Sequence, residues 1–117
     1  MAKTVLDLEV LRGETWTLNM ELSQSGVLVP LDEVVIHFVV VEDYGLPPVI
    51  RVASTDVGQT TVNISTPGII SIVLTNLETL FQFTVGHYAV IYETEGTTIS
   101  YLLVGDLKVI ETAGQVE

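Results

Sequence analysis

A chain of 117 residues without cysteine has the length of one domain, and it offers no disulfide frame, thiolate metal site or cysteine nucleophile. Fifteen acidic side chains against four lysines and arginines give a formal charge of −11, which repels nucleic-acid phosphates and anionic bilayers and favours basic protein partners. Only 16% of the residues are charged while 48% are hydrophobic, so apolar surface is either buried unusually well or shared with a neighbour.

In chain order, Asp7 and Glu9 interrupt the apolar run that a signal peptide requires. Arg12-Gly13-Glu14 resembles an adhesion tripeptide but carries Glu in place of Asp, and reads as a tight glycine turn. In "ETWTLNMEL", Trp16, Leu18, Met20 and Leu22 alternate with polar residues, the period of a strand with one dry face. "QSGV" is a turn, and Pro30, Asp32 and Glu33 prolong the break.

The run from Val34 to Glu42 is apolar on both parities. Ile36, Phe38 and Val40 share one face; Val35, Val39 and Val41 share the other with His37. A strand apolar on both sides is covered on both sides, here by a loop or another subunit, which makes Val35, His37, Val39 and Val41 the candidate protein interface. The run "VVIHFVVV" is far shorter than the ~20 residues of a membrane span. "DYGLPP" follows, with Tyr44 as a candidate loop contact, then "VIRVAS", "TTVNIS", the turn "TPG" and "IISIVL". Asn63-Ile64-Ser65 matches a glycosylation sequon, read as chance in the absence of an export signal. "NLETLF" predicts one helical turn capped by Asn76. Two long strands, 86–94 and 97–110, meet at "EG", and 111–117 reads as a polar tail on a single domain of residues 1–110. Turn-bounded strands at this spacing predict an all-β sandwich or barrel.

Within "TVGHYAVIYE", Tyr88, Val90 and Tyr92 lie on one parity and His87, Ala89, Ile91 and Glu93 on the other. Gly-x-Tyr entering a penultimate strand after a helical turn matches the tyrosine corner of immunoglobulin-like sandwiches, in which the phenol ties the crossing loop to the sheet. Gly86 is expected to permit the tight entry through a positive φ, and Tyr88 to supply the hydroxyl. His87 then faces the opposite side, near an edge or interface.

Little else carries chemistry. There is no G-x-S-x-G elbow, Walker loop or dinucleotide fingerprint. The acidic pairs Asp32-Glu33 and Glu42-Asp43 read as solvated ends of a buried strand, and two histidines are too few for a zinc site. The expectation is a protein that is not an enzyme, without catalytic residues, cofactor or metal.

Taken in order, "LRGETWTLNMEL", "GVLVPLDEVVIHFVVV", "GIISIVLTNLETLFQFTVGHYAVIY" and "TTISYLLVGDLKVIE" resemble the immunoglobulin-like β-sandwich of bacteriophage virion proteins, notably the N-terminal domain of baseplate upper proteins. The resemblance spans residues 8–110. Glu14 stands where that family commonly has Asp, and "LDE" replaces its Leu-Thr. It implies an antiparallel immunoglobulin-like sandwich of seven to eight strands with one short helical turn. It also implies a virion structural protein, assembled in the host cytoplasm. Such a protein works through contacts with other virion proteins, as a homo-oligomer or in many symmetry-related copies, as a tail or baseplate adaptor or fibre-attachment module. The alternatives are capsid decoration and, from another class, carbohydrate or host-surface binding through Tyr44.

Overall fold

The computed structural model describes residues 4–24, 26–28, 34–65, 68–94 and 98–111. Asp32, Glu33, the "EG" joint and the tail from residue 112 lie outside them. The strands are β1 (Thr4–Val5), β2 (Leu8–Leu11), β3 (Trp16–Glu21), β4 (Ser23–Gln24), β5 (Val27–Leu28), β6 (Val34–Val41), β7 (Ile50–Ala53), β8 (Val62–Ser65), β9 (Ile69–Leu74), β10 (Val85–Thr94) and β11 (Thr98–Ile110).

The larger sheet has the order β1-β11-β10-β6-β7, with β2 also paired to β11; the smaller runs β3-β9-β8, and β4 and β5 form a separate hairpin. β1 and β2 lie end to end on one edge of β11, so eight strand positions fill the two sheets. Pairing is antiparallel except on that edge, where both segments run parallel to β11.

β-branched and aromatic residues at alternate positions make these strands, since such side chains fit a pleated, half-buried surface. From β6, Ile36, Phe38 and Val40 are fully buried, and Ile70, Ile72 and Leu74 of β9 meet them from the opposite sheet. Trp16, Leu18 and Met20 of β3 pack partly buried against this core, with the Trp16 and Phe38 rings stacked at 6.4 Å.

The β10–β11 ladder carries a bulge. Val90 pairs with Leu103 but Ile91 pairs with Tyr101, leaving Leu102 as an extra residue. Leu102 and Leu103 are therefore both buried, and Tyr101 is delivered to the outer face.

The segment crossing between the sheets makes one turn, with the Glu78 and Thr79 N–H groups donating to the Thr75 carbonyl at 3.0 and 3.2 Å, but its cap differs from expectation. Residues 76–79 form a hydrogen-bonded turn, and among the described residues no helix forms. Thr75 rather than Asn76 caps it: Thr75 Oγ1 accepts from the Glu78 N–H at 3.3 Å, and Glu78 Oε1 accepts from the Thr75 N–H at 2.9 Å. Thr79, fully buried, then accepts from the Gly13 N–H at 3.1 Å and donates to the Glu14 carbonyl at 2.9 Å. Arg12 donates to the Phe83 carbonyl at 3.2 Å and pairs with Glu111. The Arg-Gly-Glu turn, with Gly13 at φ 83°, thus holds the crossing segment.

Tyr88 holds something else. Its buried hydroxyl donates to the Leu6 carbonyl, between β1 and β2, so the tie runs to the N-terminal edge and not to the crossing loop. The reason is the parallel edge strand, which brings Leu6 over β11 with its N–H donating to the Val104 carbonyl at 2.8 Å. Gly86 is not among the glycines of positive φ, contrary to expectation. Its constraint is space: a Cβ there would come within 2.5 Å of the Phe83 ring and 2.7 Å of the Val41 carbonyl.

Burial, and next the charge of Asp7, push the Tyr88 phenol from its ordinary 10 up to about 12. A folded-state value above the unfolded one means stability that is complete below pH 10 and lost as pH rises from 10 through 12. Tyr88→Phe is expected to cost about 1–3 kcal/mol at neutral pH, by leaving the Leu6 carbonyl unpaired. It is also expected to flatten the alkaline limb of a stability–pH curve measured by denaturant titration. An unchanged alkaline limb would assign that loss to other groups.

Candidate functional site

The outer face of the larger sheet brings together most of the singled-out residues. Val35, His37, Val39 and Val41 are half-buried on β6, as the alternation requires. Across the ladder, Val41 faces His87, Val39 faces Ala89, His37 faces Ile91 and Val35 faces Glu93. On β11, Tyr101 lies opposite Ile91 and Asp106 opposite His87; on β7, Arg51 lies opposite Val39 and Ala53 opposite His37.

Two hydrogen bonds organise this surface. His37 Nε2 lies 2.7 Å from Glu93 Oε1, a diagonal pair, and His87 Nδ1 lies 2.9 Å from Asp106 Oδ1, directly across strands. A carboxylate only accepts, so the ring nitrogen donates in each. β10 is flanked by β11 and β6, so His87 sits inside the sheet and not near its edge.

Tyr44 is 76% exposed, yet its ring stacks on His87 at 4.1 Å with 13° between planes. The loop fixes it there: Asp43 Oδ1 accepts from the Tyr44 N–H at 2.8 Å, and Gly45 turns the chain at φ 88°. Asp43 and Glu42 are exposed.

Between these side chains runs an open groove of about 370 Å³, lined by His37, Val39, Pro48, Arg51, Ile91, Glu93 and Tyr101. One cation and one carboxylate balance in it, within a chain of charge −11. Arg51 and Tyr101 were not singled out from sequence. Arg51 sits in the short "VIRVAS" run, whose parity marks it as outward; Tyr101 reaches this face only through the bulge. Among the described residues, no three His, Asp or Glu side chains converge to hold a metal ion. The lining mixes three apolar side chains, Val39, Pro48 and Ile91, with His37, Arg51, Glu93 and Tyr101.

No family model and no curated protein sequence matches the chain. Solved structures do. The extracellular domain of the voltage-gated sodium channel beta4 subunit, solved as parallel homodimers that explain its role in cell-cell adhesion, is similar with TM-score 0.56 and 10% identity over 97% of both chains. Tim-1 is similar with TM-score 0.53 and 12% identity, covering 98% of this chain and 100% of its own. The fold is an immunoglobulin-like β-sandwich. Its strand layout fits that architecture: β3, β9 and β8 form one sheet, and β6, β10 and β11 the other, extended by β7 as in variable-type domains.

Proposed function

We propose that this protein is a structural component of a bacteriophage virion, working through protein–protein contact across the outer face of its larger sheet rather than by catalysis. The half-buried valine face with its charge-balanced groove is the observation that carries the contact reading. Two copies of an acidic chain repel one another least where charges balance, so self-association is favoured here over the rest of the surface. The ordered landmarks that resemble the baseplate upper protein sandwich support the virion setting, with a tail or baseplate position preferred over capsid decoration. A parallel homodimer among structures of the same fold supports contact between copies.

Light scattering behind size exclusion, run across a concentration series, tests this. The expected result is a defined oligomer that Val39→Asp weakens at least tenfold, about 1.4 kcal/mol, with the Trp16 emission and melting temperature unchanged. A wild-type monomer at every concentration that also captures no virion protein would overturn the reading. A second reading rests on Tyr44, whose ring is backed by His87 on one side and open on the other, as a platform for a sugar ring. A monomer that binds glycan, and loses it on Tyr44→Ala, would favour that reading instead.

A further inference from the structure

At one end of the sandwich, the β6–β7 loop and the 75–83 crossing segment enclose a second open groove of about 570 Å³. Leu46 and Val49 line it from the loop, and Leu77 and Leu80 from the turn. All four are exposed, Leu77 to 74%, so four large apolar side chains from two distant stretches of sequence gather on one wet concavity. Scattered apolar residues are ordinary on a surface, but a contiguous rimmed patch marks an interaction site. The groove's two charged lining residues are both acidic, Glu42 and Glu78, and no lysine or arginine lines it. Its polar groups are otherwise few, which gives a small polar metabolite little to orient it.

The geometry points to a docking groove for an extended peptide segment of a partner protein, one that inserts apolar anchor side chains and flanks them with lysine or arginine. Apolar walls receive the anchors, and desolvating them supplies the affinity. Glu42, exposed beside the loop, and Glu78, held in place by its bond to the Thr75 N–H, select positive flanks and reject negative ones. The net charge of −11 adds long-range attraction for the same partner. The groove shares no lining residue with the groove on the valine face, although Pro47 and Ile50 here neighbour Pro48 and Arg51 there.

The test uses the full chain and two fluorescein-labelled synthetic peptides with the same Leu-x-Phe core, whose two anchors share one face of an extended segment, one flanked by lysines and the other by glutamates, followed by fluorescence anisotropy. The expected result is saturable binding of the lysine-flanked peptide, at least tenfold tighter than that of its glutamate-flanked counterpart. Leu77→Ser, at an exposed position that leaves folding intact by Trp16 emission, is expected to weaken it at least tenfold, and Glu42→Gln about threefold. Absence of saturable binding, equal affinity for the two peptides, or indifference to Leu77→Ser would each overturn the assignment. Val39→Asp serves as the separating control: peptide binding lost there but kept in Leu77→Ser would move the peptide to the valine face and overturn the end groove.

Discussion

Phe38→Ala is expected to cost about 3–5 kcal/mol, enough to bring a domain of this size close to its unfolding threshold. Phe38 is fully buried at the centre of β6, flanked by Val90 on β10 and Val52 on β7, and its ring meets Trp16 of the opposite sheet. Truncation removes the transfer free energy of the ring and leaves a cavity between two sheets whose own hydrogen-bonded ladders resist collapse. Trp16 is the chain's one tryptophan, so its emission reports the site directly. Urea denaturation followed at Trp16 should show the midpoint falling, with the native-state emission shifted to the red. A loss below 1 kcal/mol would mean the sheets close over the gap, and that the core is less tightly packed than these burials imply.

Gly105→Ala is the second large effect, at about 2–3 kcal/mol. Gly105 pairs with Tyr88 and lies under the N-terminal edge, where an added Cβ would overlap the Leu6 carbonyl oxygen and come within 3.2 Å of Asp7 Oδ1. The obstructing atoms are mostly backbone, held by the Leu6 N–H bond to Val104, the Tyr88 hydroxyl, and Asp7 Oδ1 accepting from the Asp106 N–H at 3.1 Å. The edge cannot swing aside without losing several of these bonds. A double-mutant cycle sharpens the expectation: with Leu6 already displaced, Tyr88→Phe should cost much less in the Gly105→Ala background than in the natural chain. Additive costs would show that the two residues do not act on the same carbonyl.

How far the site was legible follows from where each signal lives. The parity of Val35, His37, Val39 and Val41 is a property of one run of consecutive residues, and the 8-residue strand keeps it. Glu93 and Ile91 share the parity of His87, so their place on the outer face was readable as well. Tyr101 was not. The bulge shifts its parity, and a bulge depends on how two strands meet rather than on either strand alone. The end groove was equally hidden, because Leu46 and Val49 approach Leu77 and Leu80 only once both loops fold to the same end of the sandwich.

The Gly86–Tyr88 pair shows the boundary most clearly. A tyrosine hydroxyl seeking a backbone acceptor could be anticipated from Gly-x-Tyr at the entry to a long strand. Which acceptor it takes was decided by the parallel docking of β1 and β2 on β11, which places Leu6 beside it and leaves the crossing segment to Arg12 and Thr79. Likewise the close approach at Gly86 comes from Phe83 and Val41, one near in sequence and one on a neighbouring strand. The amino-acid sequence by itself determined the strand periods, the buried faces and the acidic composition, because these follow from local geometry and residue content. Tertiary structure alone decided register, edge pairing and the two grooves, because each depends on packing summed over strands far apart in the chain.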